Sequence, residues 1–334
     1  MPNSIRLDAH QRRIFPMMWV RSRLDTLAPF AIAIGLFAVT AAVIPGYGSM
    51  ISVRSLLLLA SLLGLASAGQ TLTIVMGGID LSVPAVIGLA CVAFAVAFGQ
   101  GASPYIVGPA VIFAGVVIGA FNGLISRLLR VNSLIVTLAT GTMIYGAIWA
   151  NTKGDNRGSV PDFVTDLVSV IGSTGPIPLP GSVILWGLLI VVFVVLERRT
   201  VLGRWSYASG ANPRAAELAR VPSIKLWAIV FAISGGLSAL AGILLAGFSG
   251  AADPQVGDAY LFTTLSAVVI GGTPIVGGRG GYARTVAGCF IITELTMLLI
   301  GLGLDEAAQQ VCLGILIVVL VAIYGREAHV RMQI

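Results

Sequence analysis

Along this chain, long uncharged apolar stretches alternate with short clusters of charge, glycine and proline. A helix needs about 20 mostly apolar residues to cross the hydrocarbon layer of a bilayer. Windows of that kind predict ten spans, at 27–45, 55–76, 80–98, 104–126, 132–150, 182–196, 226–248, 260–277, 285–303 and 309–325. The run 81–126 holds two of them, broken between Gly99 and Pro104. The pattern predicts an all-α, polytopic integral membrane protein built as one membrane domain. Its polar parts are an N-terminal segment (1–26), an outer loop (151–181), a central loop (197–225) and a tail (326–334).

Charge placement tests the count, because positive residues gather on the cytoplasmic side and one missed span would scramble the alternation. With the N-terminus in the cytoplasm and ten spans, only Arg54, Lys153 and Arg157 of the 20 Lys and Arg fall outside. The acids Asp155, Asp162, Asp166, Asp253, Asp258, Asp305 and Glu306 all fall outside. Both termini are therefore expected in the cytoplasm. The outer loop, with its G-S-T-G-P-I-P-L-P-G stretch, is expected to be irregular and solvated.

Composition agrees: 57% of residues are hydrophobic and 10% charged, against about 25% charged in a soluble domain. Mean hydropathy is +0.97. The net charge of +6 is parcelled between apolar spans and forms no single basic face, so it reflects topology and not nucleic-acid binding. Cys91, Cys289 and Cys312 lie in apolar runs without metal or disulfide spacing, and His10 and His329 sit near the ends. No catalytic residue, metal site or cofactor is expected from this inventory.

Two glycine-rich interruptions stand out, M-G-G-I-D-L-S-V-P (76–84) and G-G-T-P-I-V-G-G-R-G-G (271–281). Each follows an inward-running span. The Gly pairs lie 194 residues apart, at 77 and 271, which suggests that spans one to four and seven to ten are a parallel internal duplication. A broken helix is tolerated at membrane depth only inside protein or beside a wet cavity. Gly77, Gly78, Gly271, Gly272 and Thr273 thus either line a translocation path or permit close helix packing. Asp80 and Ser82 are candidates to cap span three, at a position that also borders such a path. Glu294 sits mid-span, where a charge must be neutralised, paired or facing water; a substrate contact and a structural hydrogen bond are both open. The second interruption resembles a phosphate loop only superficially, since Lys and Ser/Thr do not follow its second glycine. ATP, if it is used, must be hydrolysed by another subunit.

The central loop holds Arg198, Arg199, Arg204, Arg214, Arg220 and Lys225. Inside it Asn212 can cap a helix, Pro213 suits the first helical position, and Arg214 to Arg220 reads as two turns closed by Val221-Pro222. A short capped helix on the basic side of the membrane has the form of a docking element. Ala215, Ala216 and Ala219 offer a small-residue face, with Glu217, Arg214 and Arg220 at its rim.

Three stretches, G-Q-T-L-T-I-V-M-G-G-I-D-L-S-V (69–83), L-G-R-W-S-Y-A-S-G-A-N-P-R-A-A-E-L-A-R-V (202–221) and A-V-V-I-G-G-T-P-I-V-G-G-R-G (267–280), resemble the permease subunits of ribose-type sugar ABC importers. The wider superfamily includes branched-chain amino-acid permeases. The resemblance implies a bacterial inner-membrane importer with a second permease subunit, identical or related. It also implies a separate ATPase with two nucleotide-binding modules and a periplasmic sugar-binding protein. It places ATPase contact on Gly210, Asn212, Ala215, Ala216 and Glu217. An ion-coupled secondary transporter is the competing reading; its coupling site would have to draw on Asp80 and Glu294. An intramembrane enzyme finds too few acids, histidines and cysteines.

Overall fold

The computed structural model describes residues 27–153, 158–305, 307–316 and 318–319. The N-terminal segment, Arg157, Asp155, Glu306 and the C-terminal tail lie outside the described residues. Among the described residues every regular element is a helix, apart from an isolated bridge between Thr174 and Ile177. Six helices are long and apolar enough to cross a membrane: α2 (Met50–Met76), α4 (Pro104–Leu128), α5 (Ser133–Thr152), α7 (Gly181–Arg199), α10 (Ser223–Ser249) and α12 (Tyr282–Gly301). Four shorter apolar helices, α1 (Leu27–Val43), α3 (Val83–Gly99), α11 (Tyr260–Ile270) and α13 (Ala307–Leu316), fall where spans one, three, eight and ten are expected. The remaining helices are α6 (Asp162–Leu167), α8 (Val201–Ala211) and α9 (Pro213–Leu218).

The short helices are short for a reason. The expected spans 80–98 and 260–277 lose their ends to the glycine-rich interruptions, so α3 starts at Val83 and α11 stops at Ile270. Both interruptions end the preceding helix in the same way. Gly77 takes φ +93 and Gly272 φ +86, left-handed values that only glycine adopts freely. The Gly77 and Gly78 N–H groups then donate to Ile74 O and Thr73 O. Gly272 and Thr273 donate to Val269 O and Val268 O, the same pattern.

Helices α2, α10 and α12 form the inner layer, and α4, α5 and α7 lie outside them with apolar side chains such as Phe113, Val117, Ile135 and Val191 exposed. The α4–α10 pairing is the closest. Gly115, Gly119 and Gly123 of α4 recur every four residues against the α10 backbone. A Cβ at each would stand 2.5, 2.0 or 2.3 Å from Gly235 O, Phe231 O or Trp227 O. Small residues at this spacing let helix backbones touch, which favours association in lipid, where apolar burial alone provides no bias.

The helix ends sort into two groups. At one end the α2 terminus, the start of α3, the C-terminus of α4, α8, α9 and the 271–281 loop meet. At the other, Arg54 donates to Gly172 O (2.8 Å) and Ser159 N donates to Ala95 O (3.1 Å). The outer loop is less irregular than its composition suggests. Val164 and Val168 are buried, and α6 packs on the end of α10 at Gly247.

Candidate functional site

The two interruptions and the central loop converge on one junction. Unpaired peptide groups are costly away from water, and the first interruption satisfies its own with side chains. Ile79 N donates to Ser133 Oγ (3.0 Å) and Leu81 N to Thr137 Oγ1 (2.9 Å), one turn apart on α5. Asp80 is buried, with Oδ1 accepting from Ser82 N (3.0 Å) and Ser82 Oγ (2.6 Å). Its Oδ2 accepts from Ser234 Oγ of α10 (2.8 Å), while Asn122 Nδ2 of α4 donates to Ser82 Oγ (2.9 Å). Asp80 therefore does not cap α3 in the expected sense. It folds the turn ahead of the helix and ties that turn to α4 and α10, and Ser82, at the N-cap, makes no side-chain cap bond.

The second interruption is held from three sides. Gly278 N donates to Val75 O (2.9 Å), a carbonyl left open in the last turn of α2. Tyr207 of α8 donates to Gly280 O (3.0 Å). Tyr282 N, at the start of α12, donates to both carboxylate oxygens of Glu197, each at 2.9 Å. A carboxylate at a helix N-terminus satisfies an orphan donor and complements the helix dipole. Farther in, Tyr282 Oη donates to Gly64 O (2.8 Å) and accepts from Trp186 Nε1 (2.8 Å). One tyrosine thus binds α12 to α2 and α7.

Gly210 is wedged into this junction. A Cβ there would lie 2.0 Å from Val75 O and 2.5 Å from Gly278 N. Gly210 lies within helix α8 and is not among the left-handed glycines. Its role is close approach. The stretch 201–211, expected as loop, is helical, started by the Thr200 side chain accepting from Gly203 N (3.2 Å).

Helix α9 begins as its residues dictate, with Asn212 Oδ1 accepting from Ala215 N (3.0 Å) and Pro213 at the first position. It ends at Leu218, before Val221-Pro222. Arg220 takes φ +60, its N–H donates to Glu217 O, and Val221 N donates to Ala216 O, a tight left-handed close. Ala216, expected on the outward small-residue face, is buried and shares a core with Met76, Val221 and Leu226. Glu217 pairs with Arg127 at the end of α4 and with Arg214 (3.6 Å). What α9 presents outward is Leu218, 76% exposed, beside Ala215 and Arg214.

Away from this junction, a cavity of about 710 Å³ opens between the start of α3, α5, α11, α12 and α13. Small-molecule sites span about 300–1,000 Å³. Leu81, Pro84, Leu138 and Leu313 supply apolar wall, and Tyr145, Asp258, Thr142, Thr263, Thr296 and Gln309 supply polar atoms.

Comparison with known proteins bears on this arrangement. Residues 52–321 match the family described as branched-chain amino acid transport system / permease component. The chain belongs to this permease family. Among relatives of the permease, the ribose import permease protein RbsC of Haemophilus influenzae is 30% identical, over 87% of this chain and 90% of the relative. The L-arabinose transport system permease protein AraH of Escherichia coli is 32% identical over 91% and 90%. The autoinducer 2 import system permease protein LsrD of an Enterobacter strain is 28% identical over 78% and 80%. No solved structure matches the permease.

The site residues expected from sequence divide between two places, neither of them the cavity. Gly78, Gly271 and Thr273 are buried against protein: a Cβ on Gly78 would meet Phe231 at 3.2 Å, and one on Gly271 would meet Arg284 O at 2.6 Å, while Gly77 is exposed and Gly272 half-buried. Glu294 is buried in α12 and accepts from Tyr47 Oη (3.1 Å), away from Asp80. Sequence reasoning missed Glu197, Tyr207, Tyr282 and Leu218, and every residue of the cavity except Leu81 and Pro84, which belong to the first interruption. A usable signal existed for one feature only, the Gly115-x3-Gly119-x3-Gly123 spacing.

Proposed function

We propose that this permease is the membrane-spanning subunit of an ATP-binding-cassette importer for a monosaccharide or similar small polyol. The chain itself hydrolyses no ATP and needs no cofactor. It pairs with a second permease subunit, identical or related, and takes solute from a periplasmic binding protein at the outer mouth. A separate ATPase with two nucleotide-binding domains docks on α8–α9. Ten crossings of the bacterial inner membrane, with both termini cytoplasmic, follow from the charge alternation.

The observation that carries this reading is the seating of α8 against both interruptions. Movement of α8–α9 by an ATPase reaches the end of α2 and the 271–281 loop through Gly210 and Tyr207, and the start of α12 through Glu197 at the end of α7, directly before α8. Helices α2 and α12 are inner-layer helices, so a push at the cytoplasmic face reaches the solute path. The solute class rests on the ribose and arabinose permeases among the relatives. Leu218 and Ala215 provide the outward apolar contact, while Asn212 and Ala216 shape α9 from within. The duplication of spans one to four in seven to ten is supported by the matching helix ends at Gly77 and Gly272.

The test is Leu218→Glu in the permease co-expressed with its ATPase. The substitution adds a charge to an exposed position and leaves the permease fold alone. Loss of ATPase co-purification and uptake, with normal membrane insertion, is the expected result. Normal co-purification refutes docking through α9, and proton-driven uptake by the chain without any ATPase would make it an ion-coupled carrier.

A further inference from the structure

The polar atoms of the 710 Å³ cavity share a property that its shape alone does not reveal. Most of them are acceptors, the exceptions being the amide groups of Gln309 and Gln310. Tyr145 Oη gives its hydrogen to Asp258 Oδ1, leaving only lone pairs on the tyrosine oxygen. Thr142, Thr263 and Thr296 each donate back to their own helix, at Leu138 O (3.0 Å), Ala259 O (2.6 Å) and Ile292 O (2.9 Å). Their oxygens therefore also face the space with acceptor capacity. Gln309 Nε2 gives one of its two hydrogens to Leu304 O (2.9 Å), so that amide brings one N–H as well as its oxygen. No Lys, Arg or His lines the cavity among the described residues.

We propose that Tyr145 and Asp258 form a selectivity contact in this cavity that admits neutral, hydroxyl-rich solutes and turns away anionic ones. The proposal rests on the reading that solute passes through this chain, and it narrows the chemistry of what passes. A polyol brings hydroxyl donors, the complement of an acceptor-lined wall. A carboxylate or phosphate brings only acceptors, meets the Asp258 charge, and finds no cation to compensate. An amino acid would leave its carboxylate in that position. This separates the chain from the branched-chain amino-acid cargo that its family description names. Asp258 also sets its own partner, since the bond from Tyr145 orients the ring across the cavity wall. The tyrosine is a positioning residue for the carboxylate and a contact for solute.

The experiment reads the cavity's electrostatics without depending on transport. Leu138 lines the cavity and is 57% exposed. Leu138→Cys is made in a Cys312→Ala background, where the remaining Cys91 and Cys289 are buried. The importer, with its ATPase, is placed in nanodiscs and treated with a cationic and an anionic methanethiosulfonate of equal size. Leu138 lies two turns of α5 before Tyr145, about 10 Å along the helix, and a unit negative charge about 10 Å away raises cation and lowers anion concentration about twofold each in water and about 16-fold each at an effective dielectric of 20. The cationic reagent should therefore react at least about threefold faster after correction for a free thiol. Asp258→Asn should abolish that preference, and so should high salt, which screens the charge without any substitution. D-ribose or L-arabinose should slow labelling, valine should not, and Tyr145→Phe should weaken the protection.

Equal rates for the two reagents, or a preference indifferent to both Asp258→Asn and salt, overturn the proposal. Protection by valine and not by either pentose overturns it as well. A Leu138→Cys thiol that reacts with neither reagent shows a closed cavity and refutes it directly. ATPase co-purification, read on the same sample, reports separately whether the importer assignment stands.

Discussion

Replacing Gly210 with alanine adds one methyl group where the helix α8 backbone touches two other segments. The added Cβ would sit 2.0 Å from Val75 O and 2.5 Å from Gly278 N. A carbon and a carbonyl oxygen in contact lie about 3.3 Å apart, so the shortfall is about 1.3 Å. Both obstructing atoms are main chain, and no side chain can rotate to relieve the overlap. Either α8 lifts off the interruptions or the Gly278–Val75 hydrogen bond, 2.9 Å long, breaks. Overpacking costs about 1–3 kcal/mol, and a lost internal hydrogen bond about 0.5–1.5 kcal/mol. A central value of about 2 kcal/mol lowers the seated population of α8 about 30-fold relative to any unseated state. The expected phenotype is uncoupling: the ATPase still binds at α9, but ATP hydrolysed per solute imported rises severalfold and the thermal midpoint falls. Gly187→Ala in α7 is the control, because no atom lies within 4 Å of its added Cβ. A Gly210→Ala importer with unchanged coupling and midpoint refutes the argument. So does a Gly187→Ala importer that fails equally, since the effect would then not come from the junction.

Three further outcomes are expected. In intact cells Ser159→Cys should react with an impermeant thiol reagent while Leu218→Cys reacts only after permeabilisation; the reverse order would invert the topology. Both positions are exposed, unlike Ser209, which is buried in α8. Asp80→Asn keeps Oδ1 for the Ser82 donors and should hold uptake within about threefold. Asp80→Leu strands three donors at about 1–3 kcal/mol each and should abolish the folded yield on size exclusion, and equal damage from Asn would mean the charge itself is required. Glu197→Ala removes the carboxylate that accepts from Tyr282 N and should lower the thermal midpoint, with Glu197→Gln restoring most of it. An unchanged midpoint for Glu197→Ala would show that this buried N–H finds another partner.

The linear chain was enough for several features that depend on local chemistry, though not for helix α8 or the Asp80–Ser82 turn. Apolar windows mark where apolar helices form, six of them long enough to cross a membrane, because crossing hydrocarbon is a property of about 20 consecutive residues. The Gly-Gly pairs at 77 and 271 fall where helices stop, each with a left-handed glycine, while the pair Gly235-Gly236 runs on inside α10. Asn212-Pro213 starts α9 by a bond that reaches only three residues. Which side of each helix faces protein was not legible. In a soluble helix the polar face declares itself, but lipid is as apolar as a core, so α4 marks its inner face only by the stripe Gly115, Gly119 and Gly123 and not by hydrophobicity. Ala216 and Leu218 sit two positions apart on a helix of six residues, and only packing turned the alanine inward and the leucine outward. Glu197 meets Tyr282 across 85 residues and Tyr145 meets Asp258 across 113. No local pattern encodes such pairings, because what selects them is the way whole helices stack, and that is decided only when the chain closes on itself.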